Sequence, residues 1–229
     1  MKIRTGNNLA WDRQFARAMR KLLGEDIRLL VDGKFNYRTD SAISLAKTLE
    51  ELGVICFEEP VADTDLGEMA RLAAATSVPV SYGEHCFTIH DFRDLITHRA
   101  ARILNPDACA CGGIAEARNV AVLAQAFGLS VMPHCGGLTA IGMAANLHAA
   151  AAMPTFDLFE FDSRAHQPLR DEIIAEPLFS IPRVVDGCLE VPRGPGLGIE
   201  IDESVLKRYP YRLDTDIAAT FPMYGTPHI

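Results

Sequence analysis

Six ionisable residues recur at nearly constant spacing along this chain of 229 residues. The intervals between them are 26, 26, 23, 27 and 26 positions, and the residues are Asp32, Glu58, Glu84, Asp107, His134 and Glu160. A single acid at the end of a strand is most often an N-cap for the following helix. Six such residues in phase with a structural repeat instead indicate that the fold brings their side chains to one place.

The first three members of this set are carboxylates, and they follow three successive predicted strands. Three carboxylates held close together repel one another unless a cation lies between them. Oxygen ligands select a hard cation, and Mg²⁺ suits a site that keeps waters and accepts substrate oxygens, with Mn²⁺ as the alternative. The spacing therefore predicts a divalent metal bound by Asp32, Glu58 and Glu84.

The next two members, Asp107 and His134, combine a carboxylate with an imidazole. A carboxylate bonded to one ring nitrogen orients the ring and raises the basicity of the other nitrogen. The pair therefore indicates a general base. A lone histidine is more often a buried structural residue, and it is the neighbouring members of the set that favour the catalytic interpretation.

The elements that must position these residues alternate along the chain. Short apolar runs predict strands over KIR at the N-terminus and over 27–32, 54–59, 78–84, 102–107, 129–134 and 157–162. Helical spacing lies between the runs, most clearly at 41–53, 65–77 and 113–128, and glycines at C-cap positions end the first and third of these helices. This alternation predicts a parallel sheet, and a period of about 25 residues favours a (β/α) barrel over a doubly wound sheet.

The pattern changes from about residue 165. Prolines and the run GPGLG at 194–198 interrupt it, and VDGCLEVP at 185–192 predicts a hairpin around Asp186-Gly187. We therefore divide the chain into a barrel domain over 1–165 and a C-terminal extension over 166–229. Seven strands are predicted, whereas a closed barrel of this type needs eight.

Composition argues against several classes of partner. The formal charge of −8 disfavours nucleic acid and anionic membrane surfaces. No apolar run is long enough for a transmembrane helix, and no signal-type stretch follows the basic N-terminus. The six cysteines form no CxxC pair, which indicates reduced thiols and a cytoplasmic protein.

The motifs around these residues resemble those of the enolase superfamily, and most of all its mandelate racemase subgroup (mandelate racemase/muconate lactonizing enzyme-like). They are VDG (31–33), FEEP (57–60), YGEH (82–85), NPDACACGG (105–113), MPHCGG (132–137) and LFEFD (158–162). The opening KIR resembles the K-x-K/R/H motif of the second barrel strand. The resemblance implies an α/β fold, a TIM-type barrel modified to (β/α)7β, which this sequence enters at the second strand.

The resemblance also implies roles for individual positions. The three carboxylates Asp32, Glu58 and Glu84 would hold Mg²⁺. His134, oriented by Asp107, would be the base on one face of the substrate.

Further roles are implied on the other face of the substrate. Lys2 and Arg4 would lie there, and Glu160 would hydrogen-bond or protonate the developing enediolate. The family commonly has asparagine where this chain has Lys34. Strand alternation would point Lys34 into the site, where it could meet a second carboxylate; the alternative is a solvated loop lysine.

The shared chemistry of the subgroup is abstraction of the proton α to a carboxylate. Racemases of the subgroup carry lysine at the position of Arg4, and guanidinium is a poor base because it stays protonated. We therefore expect dehydration of an acid sugar, an aldonic or aldaric acid, to a 2-keto-3-deoxy acid. A racemase, epimerase or cycloisomerase of the subgroup, a metal-binding protein without turnover and an unrelated metal-dependent aldolase remain alternatives.

The resemblance finally bears on what surrounds the barrel. Family members carry an N-terminal capping domain and a first strand, and this sequence starts at the second strand, so we expect Met1 to be an internal position of a longer family pattern. Apolar surface in the segment 180–202 would then be exposed or used for association, and we expect a homo-oligomer. Lys2, beside the chain end, should be the least well fixed site residue.

Overall fold

The structure is a computed structural model that describes residues 1–136, 138–162, 168–175 and 184–210. The chain divides into two compact units. The first consists of Met1–Tyr82 and His90–Leu104, and the second consists of Gly83–Ile89 and the described residues from 105 to 210. The boundary predicted at residue 165 lies outside the described residues.

The first unit contains five parallel strands that lie side by side in chain order. They are β1 (Lys2–Arg4), β2 (Leu30–Asp32), β3 (Cys56–Glu58), β4 (Val80–Tyr82) and β5 (Ile103–Leu104). The register pairs Arg4 with Asp32 and Asp32 with Glu58, so these charged residues end their strands at one level. The predicted parallel sheet is confirmed, with β1 matching the predicted KIR and β2 to β5 shorter than their apolar runs.

Four helices separate these strands: α1 (Leu9–Leu23), α2 (Thr39–Glu51), α3 (Leu66–Ala74) and α4 (Ile89–Thr97). Asn8 and Asp65 cap α1 and α3 with their side chains, as short polar residues do at helix starts. After α2, Gly53 takes the left-handed conformation, with φ of 59°, that ends a helix without steric cost. Each helix buries one apolar face, and the fully buried Leu45, Leu49, Met69 and Leu72 form part of the core.

The second unit contains the sixth strand and four helices. They are α5 (Ile114–Ala126), β6 (Ser130–Val131), α6 (Ala140–Ala151), α7 (Pro168–Asp171) and α8 (Glu203–Leu206). The strand predicted over 157–162 is wrong. Phe156 makes one isolated parallel bridge with Val131, and a single bridge does not extend into a ladder.

The core of the second unit joins α6 to the C-terminal segments. Met143, Ala144 and Leu147 pack with Ile173, Ile174 and Val205. Leu189, Leu197, Ile199 and Ile201 pack against this core and are partly buried. Apolar side chains that we expected to be exposed are therefore partly covered within the unit.

The predicted hairpin in the second unit is confirmed. Val185 and Cys188 exchange backbone hydrogen bonds of 3.1 and 2.9 Å. Asp186 and Gly187 between them both have positive φ, as a tight two-residue turn requires.

Two expectations from composition can be compared with the described structure. All six cysteines are free thiols. None of the helices in the described ranges has the length and apolar character needed to cross a membrane.

Candidate active site

Two buried carboxylates end neighbouring strands in the first unit. Asp32 is 3% exposed and Glu58 is 4% exposed, and the sheet register places them side by side. A buried charge is costly unless it is paired. This site therefore needs positive charge in the form of a side chain, a metal ion or both.

Side chains of β1 supply some of that charge. Lys2 Nζ lies 2.6 Å from Glu58 Oε1, and the Arg4 guanidinium lies 3.4 Å from Asp32 Oδ2. The two cations point the same way because they flank Ile3 in a strand, as predicted. Lys2 is held at two points in the structure, since Leu30 donates to the Met1 carbonyl at 2.9 Å and the side chain pairs with Glu58; that it is the least well fixed site residue stays a prediction.

Lys34 lies beyond the end of β2, in a turn. It has φ of 46° and its side chain is exposed, so strand alternation does not determine where that side chain points. Its backbone N–H donates to Asp32 Oδ1 at 2.9 Å. The main chain of Lys34 therefore helps to orient Asp32, and a substrate contact by its side chain stays a prediction.

The residues present in the first unit fit a hard divalent cation. Asp32 and Glu58 offer only oxygen ligands, which is the donor set that Mg²⁺ and Mn²⁺ prefer. Both carboxylates are held by backbone register and by ion pairs, so they need little reorganisation. Glu84, the third predicted ligand, belongs to the second unit.

His134 is the centre of the site in the second unit. Its Nδ1 lies 3.0 Å from Asp107 Oδ2, which confirms the predicted contact of carboxylate and imidazole. Its Nε2 lies 3.3 Å from Glu84 Oε2 and 4.0 Å from Glu160 Oε2. Four residues separated by 23 to 27 positions in the sequence therefore meet in one unit.

Asp107 is fixed by a residue that sequence reasoning missed. Its Oδ1 accepts from the Cys109 amide at 2.7 Å and from Asn146 Nδ2 at 2.9 Å. Asn146 is fully buried on α6, and its own side-chain oxygen accepts from the Ala108 amide. The signal was present in the sequence, since a buried asparagine is unexpected in the apolar run AIGMAANLHAAA.

Glu160 reaches the site without a strand to carry it. Its Oε2 accepts from the Cys135 amide at 3.0 Å. The flanking Phe159 and Phe161 pack against the core of the second unit. Packing of alternate residues therefore turns Glu160 toward His134 although no ladder forms.

The charges around His134 determine its protonation. Burial disfavours the imidazolium, but the hydrogen bond to Asp107 and the charges of Glu84 and Glu160 outweigh it and raise the pKa of His134 to about 9. Burial also opposes ionisation of Asp107, where hydrogen bonds from His134, Asn146 and the Cys109 amide lower the pKa below its ordinary range. In this arrangement His134 and Asp107 form an ion pair at neutral pH.

A family model accounts for most of the chain. Residues 1–205 match the model described as Enolase C-terminal domain-like. The match includes every residue of the two sites described above.

Two curated relatives are named as a cycloisomerase and a dehydratase. The chain is 35% identical over 216 residues to the D-galactarolactone cycloisomerase of Agrobacterium fabrum, covering 91% of this chain and 56% of that protein. It is 33% identical over 212 residues to the arabinonate dehydratase of Saccharolobus solfataricus, covering 91% of this chain and 54% of that protein. The chain therefore spans about half the length of the curated relatives it matches.

Solved structures share the fold. A member of the enolase superfamily from Polaromonas sp. JS666 superposes with a TM-score of 0.84 at 30% identity, covering 92% of this chain and 55% of that one. A racemase from Streptomyces coelicolor A3(2) with bound magnesium has a TM-score of 0.79 at 29% identity, covering 90% and 54%. The cycloisomerase, the dehydratase and the racemase among them are lyases and isomerases by name.

Proposed function

The chain belongs to the Enolase C-terminal domain-like family of the enolase superfamily, among neighbours of the mandelate racemase type, and from this premise we propose a specific reaction. The proposal is Mg²⁺-dependent abstraction of the proton α to the carboxylate of an acid sugar, followed by loss of the β-hydroxyl. The substrate is an aldonic or aldaric acid and the product is a 2-keto-3-deoxy acid.

One observation carries the proposal, and it is the surroundings of His134. A ring nitrogen held by Asp107 leaves the other nitrogen aimed at the carboxylates of Glu84 and Glu160. The Gly136 amide lies 3.3 Å from that second nitrogen and can donate to it when the ring is neutral. A base oriented by a carboxylate, with an acid beside it, is the equipment that proton abstraction next to a carboxylate requires.

We assign the ion to Asp32, Glu58 and Glu84, and the catalytic proton transfer to His134. When bound, Mg²⁺ supplies positive charge that stabilises the enediolate and takes up the charge of Glu84, which removes one cause of the raised pKa of His134. His134 must be neutral to accept the α-proton through Nε2. Asp107 holds its ring throughout.

The second half of the reaction uses the proton that His134 has taken. That proton passes to the departing β-hydroxyl, which leaves as water when the bond from the β-carbon to oxygen breaks. A double bond forms between the α- and β-carbons, and the resulting enol tautomerises to the keto acid. Glu160 hydrogen-bonds the enediolate or returns a proton to it.

Arg4 supports elimination over racemisation. A racemase needs a second base opposite the first, and Arg4 stays protonated and is engaged with Asp32 at 3.4 Å. Its charge, together with that of Lys2, adds to the positive field around the enediolate. Lys34 is proposed to contact the distal carboxylate of an aldaric acid.

A cycloisomerase is the second candidate. The observation that favours it is the 35% identity with the D-galactarolactone cycloisomerase of Agrobacterium fabrum. Such an outcome would share the base and the metal and would differ only in the bond that breaks after proton abstraction.

The test is incubation of the protein with Mg²⁺ and a panel of aldonic acids, aldaric acids and their lactones in D₂O. Dehydration predicts accumulation of a 2-keto-3-deoxy acid that carries solvent deuterium at C3, and a chelator should abolish it. Deuterium incorporation with the substrate formula retained would replace dehydration by racemisation or epimerisation. Opening of a lactone would identify a cycloisomerase, and Mg²⁺ binding without exchange would identify a metal-binding protein that does not turn over.

A further inference from the structure

We infer that Asp12 and Tyr37 form a positioning pair that fixes the carboxyl ends of β1, β2 and β3. Those ends carry Arg4, Asp32 and Glu58, so the inference rests on the proposed function for its catalytic meaning. Neither member of the pair belongs to the set of evenly spaced ionisable residues.

Asp12 is a fully buried carboxylate on the first turn of α1. Its Oδ2 accepts from the Tyr37 hydroxyl at 2.7 Å and from the Gly6 amide at 3.2 Å. Its Oδ1 accepts from the Asn7 amide at 3.5 Å. The carboxylate therefore gathers the loop that follows Arg4 and ties it to the loop that follows Asp32.

Tyr37 extends the connection to a third loop. It is 1% exposed, its backbone N–H donates to the Pro60 carbonyl at 3.1 Å, and its ring packs edge-on against Phe57 at 6.1 Å. Burial raises the pKa of Tyr37, so the hydroxyl keeps its proton and remains a donor to Asp12. Tyr37 thus links the loops after β1, β2 and β3, through its hydroxyl on one side and its backbone N–H on the other.

Backbone hydrogen bonds continue past the strand ends at the same place. The Thr5 amide donates to the Asp32 carbonyl at 2.8 Å, and the Gly33 amide donates to the Glu58 carbonyl at 2.8 Å. The Phe35 amide donates to the Glu59 carbonyl at 2.6 Å. These hydrogen bonds fix the positions of Asp32 and Glu58 along their strands. The Asp12–Tyr37 hydrogen bond holds together the loops that form them.

The backbone in these loops needs such support. Lys34, Phe35 and Glu59 have φ of 46°, 59° and 41°, a region that residues other than glycine rarely adopt. Conformations of this kind persist only where the surroundings hold them. Gly33 leaves no room for adjustment, because a Cβ there would lie 2.8 Å from Pro60 Cα and 3.1 Å from the Tyr37 ring.

A matched bond at the other end of the sheet allows a controlled test. Thr76 donates its hydroxyl to Glu50 Oε1 at 2.8 Å, ahead of β4. It is also a buried hydroxyl bonded to a carboxylate in the first unit, but it precedes β4 at the amino end of the strand, whereas Arg4, Asp32 and Glu58 lie at carboxyl ends. Thr76→Val is therefore the control for Tyr37→Phe.

The experiment compares wild type, Tyr37→Phe, Asp12→Asn and Thr76→Val in the full chain. Hydrogen exchange by mass spectrometry follows peptides over 2–8, 30–38 and 56–62, and calorimetry follows Mg²⁺ affinity. We expect Tyr37→Phe and Asp12→Asn to speed exchange in these three loops by about tenfold and to weaken Mg²⁺ binding roughly 10–100-fold. Thr76→Val should lower the melting temperature without either effect.

The outcomes separate the inference from the proposed function. If Tyr37→Phe and Thr76→Val had equal effects on hydrogen exchange and on Mg²⁺ affinity, the positioning role would be overturned. The Asp12–Tyr37 bond would then be an ordinary hydrogen bond of the core. If wild type takes up no Mg²⁺, the metal assignment fails and exchange alone decides. Faster exchange confined to the three loops would then uphold the pair, and exchange spread over the whole first unit would overturn it.

Discussion

The two ends of the strands in the first unit handle charge in opposite ways. At the carboxyl end, Asp12, Asp32, Glu58 and Glu59 are each less than 5% exposed. At the amino end, Arg17 and Glu51 form an ion pair in which both side chains are more than half exposed. Burying a charge costs free energy, and buried charges cluster at functional sites, so the comparison supports the proposed active site at the carboxyl end.

The backbone conformation also differs between the two ends of the strands. Non-glycine residues with positive φ cluster after β2 and β3, at Lys34, Phe35 and Glu59. After α1 and α2, the left-handed positions are Gly24 and Gly53, where the conformation carries no side-chain cost. Arg99, which follows α4, is a non-glycine exception at the amino end with φ of 57°, so the strain is concentrated at the carboxyl end without being confined to it.

The largest expected effect extends the comparison to the second unit, where His134 follows the carboxyl end of β6. His134→Asn should lower α-proton exchange by about 10²–10⁴-fold, the usual contribution of a general base. The measurement is deuterium incorporation by NMR with saturating Mg²⁺.

The control for that experiment is His148→Asn on α6. His148 also makes one ring contact, to the Leu197 carbonyl at 3.1 Å, but it contacts none of the predicted catalytic residues within the described part of the chain. We expect exchange to fall by less than about tenfold in this variant. Equal losses in the two variants would remove His134 from the mechanism.

A pair of double variants separates charge kept for function from charge kept for stability. Lys2→Met with Glu58→Leu should abolish Mg²⁺ binding and leave the free energy of unfolding unchanged or higher by about 1–4 kcal/mol, because a buried ion pair repays its desolvation poorly. Arg17→Met with Glu51→Leu should change stability by about 0–1 kcal/mol and leave Mg²⁺ affinity intact. Chemical denaturation and calorimetry give both quantities. A large loss of stability in the first variant alone would make Lys2–Glu58 a structural pair.

Asn146→Ala tests whether a buried polar group of the second unit also serves function more than stability. The change removes a donor to Asp107 and leaves the buried Ala108 amide without its acceptor. We therefore expect the free energy of unfolding to fall by about 1–3 kcal/mol. Activity should fall further than stability predicts, and Asn146→Asp should not restore it because a second carboxylate would face Asp107. Full activity in a destabilised Asn146→Ala protein would limit Asn146 to a structural role.

The smallest effect concerns pH at the amino end. Hydrogen bonds from the Ser77 amide and the Thr76 hydroxyl lower the pKa of Glu50, whose side chain is exposed. A lowered carboxyl pKa adds stability above the ordinary range of about 4 and loses it as the pH falls through the folded value. Glu50→Gln should therefore flatten the loss of stability below pH 4 by less than about 1 kcal/mol, measured by denaturation at several pH values. An unchanged acid profile would show that the bond carries no net stability.

Sequence reasoning reached the architecture through local signals. Apolar runs and helical spacing lie close together in the chain, so the positions of β1 to β6 and of the helices at 41–53, 65–77 and 113–128 were predictable. The exception is the segment 157–162, where an apolar run predicts a strand that does not form. Whether a run pairs depends on a neighbour elsewhere in the sequence, and here a single bridge forms at Phe156, just ahead of the segment.

The amino-acid sequence by itself determined which groups can do chemistry, because residue type and phase with the fold are written in it. Asp32, Glu58, Asp107 and His134 follow from that phase, and so does the contact of Asp107 with His134. Only the tertiary structure decided the partners that hold them. Asn146 lies 39 positions from Asp107, and Tyr37 lies 25 positions from Asp12, so neither bond has a local signal. Hydrogen bonds of this kind depend on which helices and loops pack together, and packing is a property of the whole fold.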